Sequence, residues 1–381
     1  MKRVYWQATS MSRSASLSVA LVALAGMILV EAFPVQQKQP WYPEKIAAAR
    51  RAREAFALLK SERIRRGIPI DPVTDPAGSG LIGHPLTVVT SNTGYLDAKQ
   101  ITVNPNFAAI IVQLLKRTHL GKGDLVAVGV SGSFPALNVA TYAALQVLEL
   151  RPIIITSTAA SEWGANEPSF MWPDMERVLW DRHVFAFRSV AASLGGIDDR
   201  GFGMTREGRE ALIHGIERND LARIDSKSVA DAIEQRMSIY EREAGDRTIK
   251  AYVNVGGGTA SVGTHIGKKQ LQPGINLEPP HAEALMDSVM LRFLARDVPV
   301  IHVTQIKKLA LAHGLPVKPS GVPRVGEGSV YVKPEYNRWL AALALAAIAV
   351  ALVTFARAGA ARLLALSAGI TGVLRSRGER A

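Results

Sequence analysis

Two long apolar runs stand near the ends of the chain, and short apolar runs alternate with amphipathic ones between them. Residues 15–33 read ASLSVALVALAGMILVEAF, with Glu31 as the one charge. Residues 339–356 read WLAALALAAIAVALVTFA, bracketed by Arg338 and Arg357 with Tyr336 and Trp339 at one edge. Each run is long enough to cross roughly 30 Å of hydrocarbon as a helix. Lys2, Arg3 and Arg13 precede the first run, as in a secretory signal. Glu31-Ala32-Phe33-Pro34 is a poor cleavage site, so the expectation is an uncleaved signal anchor, with a cleaved signal as the alternative. A further apolar stretch, residues 363–374, is too short for another crossing. It is expected to lie on the membrane or to lengthen the second helix.

Between the runs the pattern changes period repeatedly. Residues 41–66 read as a helix, opened by Pro43 and closed by Gly67, followed by a Pro/Gly/Asp loop to residue 85. Residues 86–90, 125–130, 152–157, 249–255 and 298–303 read as strands, with 185–190 as a further candidate. Residues 105–119 (with Asn104 as the candidate cap), 135–150, 205–218, 226–243 and 283–295 read as helices. Residues 163–173 break the alternation and read as an inserted loop. Trp163, Phe170, Trp172 and Trp180 are expected to serve as core or lid packing.

Short β-branched strands alternating with helices predict a mostly parallel sheet covered on both faces. Right-handed crossovers make the expected fold a doubly wound, Rossmann-like three-layer α/β domain flanked by N- and C-terminal transmembrane helices. The expected order is a basic segment 1–14, a signal anchor 15–33, a helical stalk and loop 34–85, an extracytoplasmic α/β domain 86–337, a transmembrane helix 338–357 and a basic, apolar cytoplasmic tail 358–381.

Charge alters this picture little. The net charge is +12, but residues 34–337 hold 36 basic and 31 acidic residues, a net of +5. The excess is partly a membrane-flank effect, and no nucleic-acid partner is implied. Eight basic residues lie at the termini and eight on the inner flanks, so the positive-inside rule does not choose an orientation. The N-terminal anchor favours termini in the cytoplasm and a body outside the cytoplasmic (inner) membrane. A chain 48% apolar and 20% charged is not a disordered one. The absence of Cys excludes disulfides, thiolate metal sites and a cysteine nucleophile.

Ligands of open parallel sheets bind at the carboxyl ends of the strands, so three loops carry the candidate chemistry. Gly129-Val130-Ser131-Gly132-Ser133-Phe134-Pro135 leads from a strand into a helix start, whose free N–H groups suit a carboxylate or phosphate. It is one residue from the nucleophile elbow G-x-S-x-G, with Ser133 in place of the last Gly. Ser131 is therefore a candidate nucleophile as well as a candidate ligand, and a tight turn with a capping Ser is the plainer alternative. Gly256-Gly257-Gly258-Thr259-Ala260-Ser261 follows another strand; its glycines permit an amide concavity for anions, and Thr259 and Ser261 add hydroxyls. Neither loop is a P-loop or a clean G-x-G-x-x-G.

Thr156-Ser157-Thr158, with Ser189, Ser193, Gly195, Gly196, Asp198 and Asp199, is the candidate polar wall of the same cleft. The Asp pair suits either a hard cation or a solvated turn. The eight His include no H-x-x-x-H or H-E-x-x-H pair, and no metal site is expected. His265 is the candidate general base or substrate contact, against a plain loop histidine. The candidate ligand set is thus Ser131, Gly132, Ser133, Ser157, Gly256, Gly257, Gly258, Thr259 and Ser261, the candidate catalytic pair Ser131 and His265, and no cofactor is identified.

The stretches SERIRRGIPIDPVTDPAGSGLIG, VNPNFAAIIVQLLKR, GDLVAVGVSGSFPALNVA, DMERVLW, FRSVAASLGGIDDRG and VNVGGGTASVGT cover most of residues 60–267. Their order resembles a bacterial family described as the poly-gamma-glutamate system protein. The resemblance implies a membrane-anchored accessory protein of poly-γ-glutamate biosynthesis or export. The partners it implies are the synthase and export membrane proteins, the polymer itself and the lipid bilayer. It carries no catalytic assignment. Amide nests and hydroxyl-rich loops suit γ-linked glutamate carboxylates. Two alternatives stay open: a serine-dependent amide hydrolase or transferase that trims or attaches the polymer, and a cytoplasmic nucleotide-binding component of its synthesis.

Overall fold

The computed structural model describes residues 12–256, 258–263, 270–281, 285–317 and 321–378. The chain divides into two units, residues 38–331 and the two ends taken together, 1–37 with 332–381. The first elements are α1 (Arg13–Ala32), β1 (Val35–Lys38), α2 (Tyr42–Arg65), β2 (Thr90–Asn92), α3 (Leu96–Thr102) and α4 (Phe107–Arg117). Then come β3 (Leu125–Ser131), α5 (Pro135–Val147), β4 (Arg151–Ser157), β5 (Ala160–Ser161), α6 (Trp172–Asp181), β6 (Ala191–Ser193) and α7 (Arg206–Glu217). The rest are β7 (Ala222–Arg223), α8 (Val229–Ala244), β8 (Ile249–Val255), α9 (Thr259–Val262), β9 (Gly274–Asn276), α10 (Val289–Leu294), β10 (Val300–Val303), α11 (Ile306–Ala312), β11 (Val332–Glu335) and α12 (Arg338–Gly378).

Among the described residues of the 38–331 unit the sheet has seven strands in the order β7-β6-β4-β3-β8-β10-β9. Six are parallel and β9 is antiparallel at the edge. All of β3 and most of β4 and β8 are buried, which is why they read as apolar runs without polar alternation. Helices cover both faces. On one, Leu125, Ala127, Ile155 and Tyr252 of the strands share a core with Ile233 and Tyr240 of α8 and Phe293 of α10. On the other, α5 lies against β3 and packs on α2 and α4. The buried side of α2 is Ala48, Ala49, Ala52, Ala55 and Leu59, and such small side chains let helices approach closely. The chain runs outward from β3 through β4, β6 and β7, then crosses back to β8 and β10. Strand order therefore reverses between β3 and β8.

Local chemistry overrides the apolar pattern in places. The pattern of residues 86–90 predicts a strand, yet only Thr90 enters one. Thr90 N–H bonds the Thr87 carbonyl at 3.1 Å and Thr87 N–H bonds Thr90 Oγ1 at 2.9 Å, so threonine side chains close a turn instead. Residues 185–190 are not a strand either. Phe185 and Phe187 turn inward, each edge-on to Tyr142 at 5.6 Å, and the strand starts at Ala191. Asn104 sits two residues too early to cap α4, whose N-cap position is Asn106; its Oδ1 accepts the Asn106 N–H at 3.0 Å. Phe170 and Trp172 are core, whereas Trp180 is exposed.

In the end unit, β1 pairs with β11, and α1 packs along α12. A Cβ on Gly26 would stand 2.8 Å from Ala344 Cβ, so the helices touch where one has no side chain. β1 follows α1 and β11 precedes α12, so their pairing brings the end of α1 to the start of α12, and the two packed helices run antiparallel. Residues 13–32 and 338–358 are long and apolar enough to cross a membrane. Residues 363–374 continue α12, which at 41 residues is about 60 Å long.

Candidate functional site

Residues at the carboxyl ends of β3, β4 and β8 meet in a cleft of about 320 Å³ beside the order reversal. Ser131 and Ser133 come from the end of β3 and the turn into α5. Ser157 ends β4, Gly196 and Ile197 come from the loop after β6, and Gly256, Gly258 and Thr259 follow β8. The turn into α5 is held by Asn138, whose Nδ2 donates to the Ser131 carbonyl at 2.8 Å. Gly256 has φ +90°, and a Cβ there would sit 2.8 Å from Ser131 Oγ. A Cβ on Gly258 would sit 2.9 Å from Ser157 Oγ. The two glycines therefore leave room for the two serine hydroxyls.

The fourth wall is Ser91 to Tyr95 with Lys99 of α3. Pairing of β2 with β5 and a bond from Gly94 N–H to Glu162 Oε2 at 2.9 Å fix this wall. Lys99 Nζ donates to the Ser133 carbonyl and to Ser161 Oγ, the latter at 2.7 Å, and lies 4.0 Å from the Phe134 ring centroid. Among the described lining residues Lys99 is the one charged side chain, set among the hydroxyls of Ser91, Thr93, Ser131, Ser133, Ser157 and Thr259. Ser131 Oγ is buried without a hydrogen-bond partner among the described residues.

A buried ion pair lies beneath Ser157. Arg236 of α8 donates to Asp199 Oδ2 through Nη2 at 2.9 Å and Nε at 3.3 Å. Arg236 Nη2 also donates to Ser193 Oγ at 2.7 Å and Ser157 Oγ at 3.1 Å, and Ser193 Oγ donates to Asp199 Oδ1 at 2.8 Å. Burial works against the Arg236 charge, but Asp199 beside it outweighs that effect and holds the guanidinium above its ordinary pKa. Asp199 is thus the partner of an arginine, neither a cation ligand nor a solvated turn. Among the described residues no group of three or more His, Asp or Glu could hold a metal ion.

The remaining candidates fall around the cleft. Gly132 packs under it, where a Cβ would meet the Thr158 carbonyl at 2.7 Å. Ser261 turns its hydroxyl to Tyr252, which donates to it at 3.2 Å. Thr259 Oγ1 donates to the Gly196 carbonyl at 2.8 Å, tying two of the loops together. Ser189 is drawn away to Glu176. Gly257 and His265 lie outside the described residues. Lys99, Ser161, Arg236 and the wall 91–95 were missed from sequence, although the run Ser91-Asn92-Thr93-Gly94 is itself a hydroxyl-rich turn signal.

The arrangement can seat an anion: one ammonium, several hydroxyls and the N-terminal end of α5 converge on it. No known protein family, characterised protein or solved structure matches this chain.

Proposed function

We propose that this chain is a membrane-anchored accessory protein of bacterial poly-γ-glutamate biosynthesis or export, and that its cleft binds carboxylates of the polymer. The observation that carries the reading is the cleft lining: among the described residues it has a single charged group, Lys99, set among hydroxyls, and the Ser131 hydroxyl has no partner. Such a surface favours a flexible oxyanion over a cation or an apolar ligand.

In this reading the sheet is a doubly wound, Rossmann-like one, and the order reversal between β3 and β8 supports that assignment. The two apolar helices anchor the chain in the cytoplasmic membrane beside the synthase and export proteins, with the 38–331 unit outside.

The test is titration of the purified full chain in nanodiscs with γ-linked glutamate oligomers. Binding that weakens tenfold or more in Lys99→Met, with α-linked oligomers binding less well, is the expected result. Absence of binding to γ-linked oligomers overturns the reading.

A further inference from the structure

The loop 195–203, between β6 and α7, serves two cavities. Gly196 and Ile197 line the cleft already described, while Asp199, Arg200 and Phe202 line a separate cavity of about 320 Å³. Arg206, Arg209 and Ser226 also line that second cavity. Its acidic groups are matched: Asp199 pairs with Arg236, Glu210 with Arg206, and Asp225 with Arg223. Arg200 and Arg209 form no ion pair among the described residues. Instead Arg200 Nη1 donates to the Lys227 carbonyl at 2.9 Å and its guanidinium lies 4.4 Å from the Phe202 ring centroid. Arg209 Nη1 donates to the Met204 carbonyl at 2.6 Å.

Each guanidinium is therefore oriented by the backbone through one of its five N–H donors, and its charge is not compensated by a carboxylate. Facing the same cavity, the Ser226 hydroxyl is buried and has no hydrogen-bond partner among the described residues. Two oriented, uncompensated cations and an orphaned buried hydroxyl make a receptor for an oxyanion.

We propose that this cavity is a second oxyanion seat, taking a carboxylate or phosphate group, and that it and the cleft hold two anionic groups of one flexible chain. The identity of that chain rests on the polymer reading above; the seat itself does not. Ile197 and Arg200 are three residues apart, at most about 11 Å along the backbone. A chain with anionic groups every few bonds can span that distance. Filling both seats converts the second contact into an intramolecular one, and the gain from such linkage is commonly 10²–10⁴-fold.

The experiment compares a γ-linked glutamate decamer, its dimer and a polyphosphate of decamer length on the full chain, wild type and Arg200→Ala/Arg209→Ala. The expected result is a decamer at least tenfold tighter than the dimer in wild type. In the double variant the decamer should weaken at least tenfold while the dimer is unchanged. A double variant that melts like wild type and binds the decamer equally well overturns the second seat and leaves the polymer reading standing. Arginine-dependent binding of polyphosphate without binding of either glutamate oligomer keeps the seat and overturns the polymer reading. Failure to bind any of the three overturns both. If the double variant does not fold, Arg200→Gln alone gives the same comparison.

Discussion

Ser131 and Ser157 are register partners at the carboxyl ends of β3 and β4, and among the described residues only the Ser157 hydroxyl of the two is hydrogen-bonded. Ser157 Oγ accepts from Arg236 and donates to Asp199 Oδ1 at 3.4 Å, while Ser131 Oγ has no partner among the described residues, at 4% residue exposure beneath Gly256. An unmet buried hydroxyl costs about 1–3 kcal/mol. Of the two, the Ser131 hydroxyl is the one that a ligand oxygen would complete.

Ser131→Ala is accordingly expected to raise the stability of the free protein by about 1 kcal/mol and to weaken anion binding several-fold. Urea unfolding and ligand titration of the same preparation measure both. A variant that loses stability and binds normally would contradict the assignment.

Arg236 and Asp199 are 1% and 0% exposed, so neither charge can turn to water if the other is removed. Arg236→Met or Asp199→Asn should each cost about 3–5 kcal/mol. The double variant should cost less than the sum, because the stranded charge is then gone. Strict additivity in a double-mutant cycle would mean that the pair is not coupled.

Two glutamates set opposite pH dependences. The hydrogen bond from Arg65, joined by Arg66 and opposed by burial, lowers the Glu62 pKa from 4.5 to about 2. Its contribution is present above 4.5 and is lost as pH falls from 4.5 towards 2. Burial raises the Glu176 pKa, partly offset by donors from Tyr142 and Ser189. Its contribution is complete below 4.5 and is lost as pH rises through the raised value. Glu62→Gln should flatten the acid limb of a stability–pH curve, and Glu176→Gln should flatten the loss above 4.5. An unchanged acid limb in Glu62→Gln would remove that carboxylate from the account.

If α1 and α12 both cross a membrane, as proposed, their antiparallel packing predicts that both termini lie on one side of it. Reporters fused to either terminus should agree, and one inserted near Asp199 should give the opposite answer. Because the chain has no Cys, Gly26→Cys with Ala344→Cys is a clean cross-linking probe. A disulfide needs about 3.5–4.5 Å between Cβ atoms, so the 2.8 Å approach must relax slightly. After cleavage at a protease site introduced into the body, the two ends should stay joined until reduced. Separation without reductant would mean that the helices do not pack this way.

Much of the architecture is written in local pattern. LVAVGVS, PIIITS and IKAYVNV are too short and too β-branched for helices, and continuous burial on both faces makes them parallel strands. Once the sheet is parallel, Ser131, Ser157 and Gly256 must come to one edge, because every strand ends there. The two apolar runs carry their own answer as well, since helix length and hydropathy are properties of contiguous residues.

Tertiary structure alone decided the rest. Nothing near Asp199 announces that Arg236, 37 residues on, will neutralise it, nor does Lys99 announce that it will reach Ser133 and Ser161. A polar side chain's partner is chosen by which strand and helix lie beside it, and that depends on strand order, which no local period encodes. The same holds for LTVVT, where two threonine hydroxyls closed a turn that β-propensity would have extended. Local sequence determined which segments bury both faces; only the packed sheet determined which charges meet beneath the cleft.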